Sequence, residues 1–544
     1  MTTLCDGDTG GRDGQASPQP QYEYTDLPGP TYIRLLHVEP APSLKDPIRC
    51  TLECYDLYDA SRPKFVALSY AWGPVHKDGR HLTHTIQCGH LQFRVTEHLL
   101  AGLRHIRQFY QDPVTVAKGR RYCSDPVTLA KKDAVEILWY YKEYLSAEGR
   151  RDWTCTRFWV DAICIAQMDT AERERQVSLM GDIFSSAIAV SVWLGDFNFE
   201  NRTETFRDFF SEIMSQSNLL EKQIEEMRAF IRNMHARSWF QRRWVLQEVR
   251  HAQSRTLLFG ASAWDIVTIR EFFISVELHE PPGLRAMLED HRYLDPLHLL
   301  THYDACQCSD DRDRIYALLS MMRYGRIRPD YTIDVEQAFI RFAKAQLEEG
   351  GLLPLLASAT SRLPIAVSVN RGTLPYWVPD WRVAPSQYST CDHKSCVSGY
   401  VQAAAHEPQQ IVSLRYQVIG DRWLLLKGWL FEPCTDEGAA WKTCMCCCLH
   451  GISLARMGWS RFSCGHIEQL RNTQGVNLMG FVLEDLGLVT TRKVVIMVRP
   501  SNATDVPKQA LVYDLVCILP IEWDAWDEVD ANELCGCAKT IWLA

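Results

Sequence analysis

The chain has 544 residues, of which 46% are hydrophobic and 23% charged, with a net charge of -9. That apolar content builds a large core, and at ~150 residues per domain the length divides into a few domains rather than one. A weak acidic balance spread over this length argues against a dedicated nucleic-acid surface, which usually needs a strong basic excess.

Residues 1–28 are rich in Gly, Pro, Gln and Asp and lack the basic start and apolar run of a secretory signal peptide. This composition predicts a disordered tail. No charge-free apolar stretch reaches ~18 residues, so no membrane span is expected. Twenty cysteines is a high count. Disulfide scaffolds are usually short and secreted, whereas this chain is long and its cysteines bunch from Cys306 onward, which points to reduced thiols in the cytoplasm.

The first strand is expected in "YIRLLHVEP" from Tyr32, and a second in "FVALSYAW" (Phe65–Trp72), stopped by Gly73-Pro74. "TIQCGHLQFRV" has the pattern of a hairpin. A helix follows, capped by Thr96, with Leu99, Leu103, Ile106 and Tyr110 on one face. The near-duplicates "DPVTVAK" and "DPVTLAK" mark a loop insertion over 111–132, and a second helix is expected over Asp133–Ala147.

"RFWVDAICI" (Arg157–Ile165) reads as a strand. A helix over about Ala171–Ala187 buries Val177, Met180, Phe184 and Ala187, with Asp169 and Glu172 spaced as a capping box. "IAVSVWLG" then forms a strand ended by Gly195. Strand, helix and strand with short connections make the βαβ pattern of a parallel sheet, with the helix against one face. A helix over about Leu219–Ala236 buries Ile224, Met227, Ile231 and Met234. Another is expected over Arg237–Ala252, then a strand over Arg255–Gly260. Helical patterns dominate to about Leu356, and the rest mixes β-rich runs with Cys- and Trp-rich loops.

Three segments carry a family resemblance: "ALSYAWG" (Ala67–Gly73), "FWVDAICIAQMDTAERERQVSLMGDIFSSAIAVSVWLGD" (Phe158–Asp196) and "SWFQRRWVLQEV" (Ser238–Val249). With "DDRDRIYALLSM" (Asp310–Met321) and "LPYWVPDWR" (Leu374–Arg382), they resemble the fungal heterokaryon-incompatibility (HET) domain and the region that follows it, over about 30–400. Two departures stand out. Ala166 replaces a frequent Asn, removing an amide, and Phe184 replaces a frequent Tyr, removing a hydroxyl.

HET domains in turn resemble TIR domains. The resemblance implies a TIR-like, flavodoxin-like α/β fold: a mostly parallel sheet flanked by helices, then a helical region and a mixed α+β C-terminal region. The corresponding boundaries are a tail over 1–28, a HET domain over 29–264, a mainly helical region over 265–382 and a Cys/Trp-rich region over 383–544. Some TIR domains cleave NAD at the nicotinamide–ribose bond with one Glu in a Trp-Cys-x-x-Glu helix. Trp244 and Glu248 keep that spacing, with Val245 in place of Cys. Residues four apart share a helix face. The strand ending in Ser69, Tyr70, Trp72 and Gly73 would deliver its loop to the carboxyl end of the sheet, where ligands of open α/β sheets bind.

The resemblance therefore implies Glu248 as catalytic carboxylate. Ser69, Tyr70, Trp72, Gly73, Asp161, Arg243 and Trp244 would line the NAD site. Cleavage passes through an oxocarbenium-like ribosyl cation while nicotinamide leaves neutral, so one carboxylate suffices. NAD enters as substrate, and no tightly bound cofactor is implied. The implied role is nonself recognition leading to cell death, with a protein partner or allelic incompatibility product and homo-oligomerisation on activation. Two other readings stay open. One is a non-catalytic signalling or oligomerisation scaffold. The other is a zinc-dependent regulator built on Cys391, His393 and Cys396 with Cys444, Cys446, Cys447, Cys448, His450, Cys464 and His466. Adjacent cysteines rarely share one tetrahedral ion, so no metal ligand is assigned.

Overall fold

The computed structural model describes residues 21–72, 82–111, 154–196, 236–260, 262–265, 295–362, 374–384 and 416–431, positions 225, 229, 232 and 233, and the strands within 479–543. The helices expected over Asp133–Ala147 and Leu219–Ala236, the insertion over 111–132 (beyond Gln111) and the late cysteine clusters lie outside these residues. The chain divides into two compact units. One comprises Met1–Met168, Ser185–Met234 and Ala252–Val276; the other comprises Asp169–Phe184, His235–His251 and Glu277–Ala544.

The first unit is built on a nine-stranded sheet. Its strands are β1 (Tyr32–Val38), β2 (Arg49–Asp56), β3 (Val66–Tyr70), β4 (His84–Cys88), β5 (Leu91–Val95), β6 (Arg157–Trp159), β7 (Ala189–Trp193), β8 (Arg255–Phe259) and β9 (Ser262–Asp265), in the order β5-β4-β2-β1-β6-β3-β7-β8-β9. The parallel sheet expected from the βαβ pattern occupies the centre, where β6, β3, β7 and β8 run parallel. Every residue of β3 and β7 is buried, which explains why each is apolar but for one serine, Ser69 and Ser191. The flanks make the sheet mixed: β1 is antiparallel to β2 and β6, β4 to β5, and β8 to β9.

Helix α1 (Glu97–Gln111) packs on this sheet. Thr96 caps it, its Oγ1 accepting the Leu99 amide at 3.1 Å. Leu99, Leu103, Ile106 and Tyr110 are all buried, as the spacing predicts. The Tyr110 and Ser191 hydroxyls meet at 2.9 Å, and Trp193 donates its indole N–H to the His98 carbonyl at 3.0 Å. Gly102 is required under that indole, since a Cβ there would lie 2.9 Å from Trp193 Cδ1. Within the stretch read as a tail, Gln21 bridges to Gln92, and Tyr22 stacks on Phe93 at 4.3 Å.

Two expected elements differ. The strand over Arg157–Ile165 ends at Trp159, and Asp161–Cys164 forms a short helix, α2. Cys164 turns its sulfur back to accept the Val160 amide at 3.3 Å, closing that turn. The single helix over Arg237–Ala252 is two pieces, a 3-10 turn at Ser238–Gln241 and α4 at Val245–Arg250. Between them Arg242 is extended and bridges to Gln307.

The second unit holds α3 (Thr170–Ser186) up to Phe184, then α4, α5 (Pro296–His302), α6 (Asp313–Tyr316), α7 (Val335–Glu348) and α8 (Leu352–Ser361). Asp169 caps α3 as predicted, accepting the Glu172 amide at 3.1 Å. Met180 and Phe184 are buried on that helix and Val177 is half-buried. Asp334 caps α7 through the Gln337 amide at 2.7 Å. Trp381 lies against Phe339 and Phe342 of α7, edge to face. A six-stranded sheet, β10 (Tyr416–Ile419), β11 (Trp423–Phe431), β12 (Met479–Leu483), β13 (Arg492–Pro500), β14 (Val512–Glu522) and β15 (Lys539–Leu543), completes the unit in that order, with β11 also pairing β15. No helix among the described residues is long and apolar enough to cross a membrane.

Candidate functional site

The residues expected to form one site fall into two groups, one in each unit. In the first unit β3 and β6 run side by side, so their carboxyl ends deliver Trp72 and Asp161 to the same place. The Trp72 indole N–H donates to Asp161 Oδ2 at 2.9 Å. The other oxygen, Oδ1, accepts the Ala162 amide at 2.7 Å, and Gln167 Nε2 donates to the Asp161 carbonyl at 2.8 Å. Asp161 thus has donors on both carboxylate oxygens. Trp72 and Asp161 are half-buried, whereas Ser69 and Tyr70 are only 1% and 2% exposed. Gly73 lies outside the described residues.

In the second unit the expected residues gather around α4. Glu248 is in its first turn and is 3% exposed, and its amide bonds to the Trp244 carbonyl at 3.4 Å. Trp244 and Glu248 are therefore one helical turn apart, as their spacing predicts. Arg243 is 1% exposed; its Nη1 donates to the Tyr303 carbonyl at 2.8 Å and its Nε has no hydrogen-bond partner. Burial brings its pKa down to about 10, with the Cys306 and Cys308 thiols opposing. A cation tied into backbone in this way acts first as a brace.

Asp313 is the residue that sequence reasoning missed. Its Oδ2 accepts the Trp244 indole N–H at 3.0 Å and its Oδ1 accepts the Tyr331 hydroxyl at 2.6 Å. Desolvation raises its pKa to about 6 against the opposing pull of those two donors. The Arg173 guanidinium lies 4.1 Å from the Tyr331 ring centroid, a cation–π distance. Arg312 ties Asp310 to the Tyr331 and Ile333 carbonyls. α4 is also held through Gln247, which accepts from Ser320 Oγ at 2.7 Å while His251 Nε2 meets the same hydroxyl at 3.0 Å. Burial lowers the His251 pKa, which favours the neutral ring. The "DDRDRIY" run was the available signal for this network, but its pairings are long-range.

No group of three or more His, Cys, Asp or Glu among the described residues is placed to hold a metal ion. Cys50, Cys54, Cys88, Cys155, Cys164, Cys306 and Cys308 are free thiols.

A family model described as heterokaryon incompatibility protein (HET) matches residues 125–248, a stretch holding Asp161, Arg243, Trp244 and Glu248. Over that stretch the chain is similar to HET-domain proteins. It is also 24% identical over 457 residues to heterokaryon incompatibility protein 6, OR allele, of Neurospora crassa, a match covering 67% of this chain. The chain spans 60% of that relative's length. No solved structure matches it.

Proposed function

We propose that this HET-domain protein acts in heterokaryon incompatibility in a fungus, triggering cell death on meeting a protein partner or allelic product. The observation that carries this reading is the similarity to a protein of that name across 67% of the chain. The output we propose is hydrolysis of NAD at the nicotinamide–ribose bond by a TIR-like cytoplasmic domain, set off by homo-oligomerisation. Glu248 would stabilise the ribosyl cation, one turn from Trp244, whose ring Asp313 holds in place. Trp72 or Trp244 would stack on a nucleotide ring, and Arg243 would meet phosphate. Ser69, Tyr70, Gly73 and Asp161 would shape the rest of the site.

A second reading, a scaffold that signals by assembly, is favoured by one specific observation. Glu248 is only 3% exposed, as suits a structural carboxylate. The two readings separate on one experiment. Wild type and Glu248→Gln, each driven into oligomers by a fused dimeriser, are expressed in yeast while NAD and viability are followed. NAD loss in wild type alone supports the enzyme. Equal toxicity without NAD loss in either protein leaves the scaffold.

A further inference from the structure

At the amino ends of the central parallel strands, opposite the Trp72–Asp161 contact, the first unit has an open pocket of about 610 Å³. Pro63 and Lys64 lead into β3, Thr154, Cys155 and Thr156 lead into Arg157 at the start of β6, and Ile188 leads into β7; these seven residues line it. The volume lies within the roughly 300–1,000 Å³ typical of small-molecule sites.

The lining is chemically one-sided. Its described residues offer an ammonium, a guanidinium and two threonine hydroxyls, with no carboxylate and no aromatic ring among them. In a chain of net charge -9, an acid-free pocket with two cations selects an anion. The Cys155 thiol is spent on the Arg157 carbonyl at 3.1 Å. Arg157 hydrogen-bonds to Tyr55, whose hydroxyl in turn donates to Glu53, but its buried Nε has no hydrogen-bond partner. Backbone bonds set the rim: Val38 N to the Thr156 carbonyl at 2.8 Å, Cys155 N to the Tyr110 carbonyl at 3.1 Å and Ile188 N to the Phe65 carbonyl at 3.0 Å. A preset rim lowers the ordering cost of binding.

We propose that this pocket binds a phosphorylated small metabolite of sugar-phosphate size, with Lys64 and Arg157 on the phosphate and Thr154 and Thr156 on the hydroxyls. None of the described lining residues has an aromatic ring to stack a base, so the sugar and phosphate carry recognition. Ligands of open α/β sheets bind at the carboxyl ends of the strands, so an occupant of the amino ends is an effector rather than a substrate. It would grip the starts of β3 and β6, the strands that carry Trp72 and Asp161 at their far ends.

Calorimetric titration of the full-length protein with ribose 5-phosphate, ribose and inorganic phosphate tests this. Saturable binding of one ribose 5-phosphate per chain is expected, tighter than inorganic phosphate, with no binding of ribose. Lys64→Glu, at an exposed position, should weaken it at least about tenfold without changing the melting temperature. Arg157→Gln should do the same, with circular dichroism checking that the strand survives. No saturable binding of ribose 5-phosphate overturns the proposal, and so does equal affinity in the folded Lys64→Glu protein. Inorganic phosphate binding as tightly as ribose 5-phosphate overturns the organic-ligand assignment.

Discussion

Trp244 and Asp313, 69 residues apart in the chain, are joined by an indole-to-carboxylate hydrogen bond of 3.0 Å in a half-buried setting. The bond fastens the start of α4, which carries Glu248, to the turn that begins α6. A hydrogen bond to a charged acceptor contributes about 1.5–3 kcal/mol. Trp244→Phe keeps most of the ring and removes the donor. It should lower stability by about that amount in urea denaturation, and Asp313→Ala by at least as much because it also strands the Tyr331 hydroxyl. If Trp244→Phe unfolds at the wild-type midpoint, the bond contributes nothing.

The same carboxylate sets a pH dependence whose sign is fixed. Folding raises the Asp313 pKa to about 6, above the unfolded value of about 3.9. The folded state therefore binds the proton more tightly, so ionising the carboxylate in place costs stability. The contribution is fully present below pH ~4 and is lost as the pH rises through about 6, amounting to at most about 3 kcal/mol. Stability of the wild type relative to Asp313→Asn should fall between pH 4 and 6.5. A flat difference across that range excludes Asp313 as the titrating group.

Much of the frame was legible because its causes are local. Thr96 and Asp169 cap their helices three residues ahead, and β3 and β7 show as short, mostly apolar runs. What escaped was set by distant partners. The apolar run Phe158–Ile165 suits a strand or a buried turn equally, and the folding-back of Cys164 decides it. The helix over Arg237–Ala252 breaks where Arg242 pairs with Gln307, a contact no local pattern announces. Strand β2 buries only Cys50 and leaves its other positions exposed or half-buried, so it shows no regular apolar alternation. The spacing of Trp244 and Glu248 was readable, but the partner that fixes Trp244 was not, because Asp313 comes from another segment.

Trp72 and Asp161 close the carboxyl ends of β3 and β6 by a 2.9 Å bond between half-buried groups. Asp161→Asn keeps the shape but weakens the acceptor, and should cost about 1 kcal/mol. Its main effect should be local: amides of residues 161–166 should exchange with deuterium faster than in wild type, while those of β7 do not change. Uniform acceleration across the sheet would instead mark Asp161 as a global stabiliser.

Gly181 in α3 is the tightest fit around α4. A Cβ there would lie 2.6 Å from Ser320 Cβ and 3.5 Å from His251 Nε2. Ser320 Cβ sits next to its own backbone and cannot swing aside, so Gly181→Ala must push the chain at Ser320 and disturb its bonds to Gln247 and His251. Helix propensity favours Ala over Gly by about 1 kcal/mol. Overpacking costs about 1–3 kcal/mol, and each displaced hydrogen bond about 1 kcal/mol more. The clash wins, and Gly181→Ala should be destabilised by about 1–3 kcal/mol in urea denaturation. Ser320→Gly removes the obstructing carbon, so adding it to Gly181→Ala should cost less than Ser320→Gly costs alone. Strict additivity of the two changes would show that they do not touch, and would refute this account of the glycine.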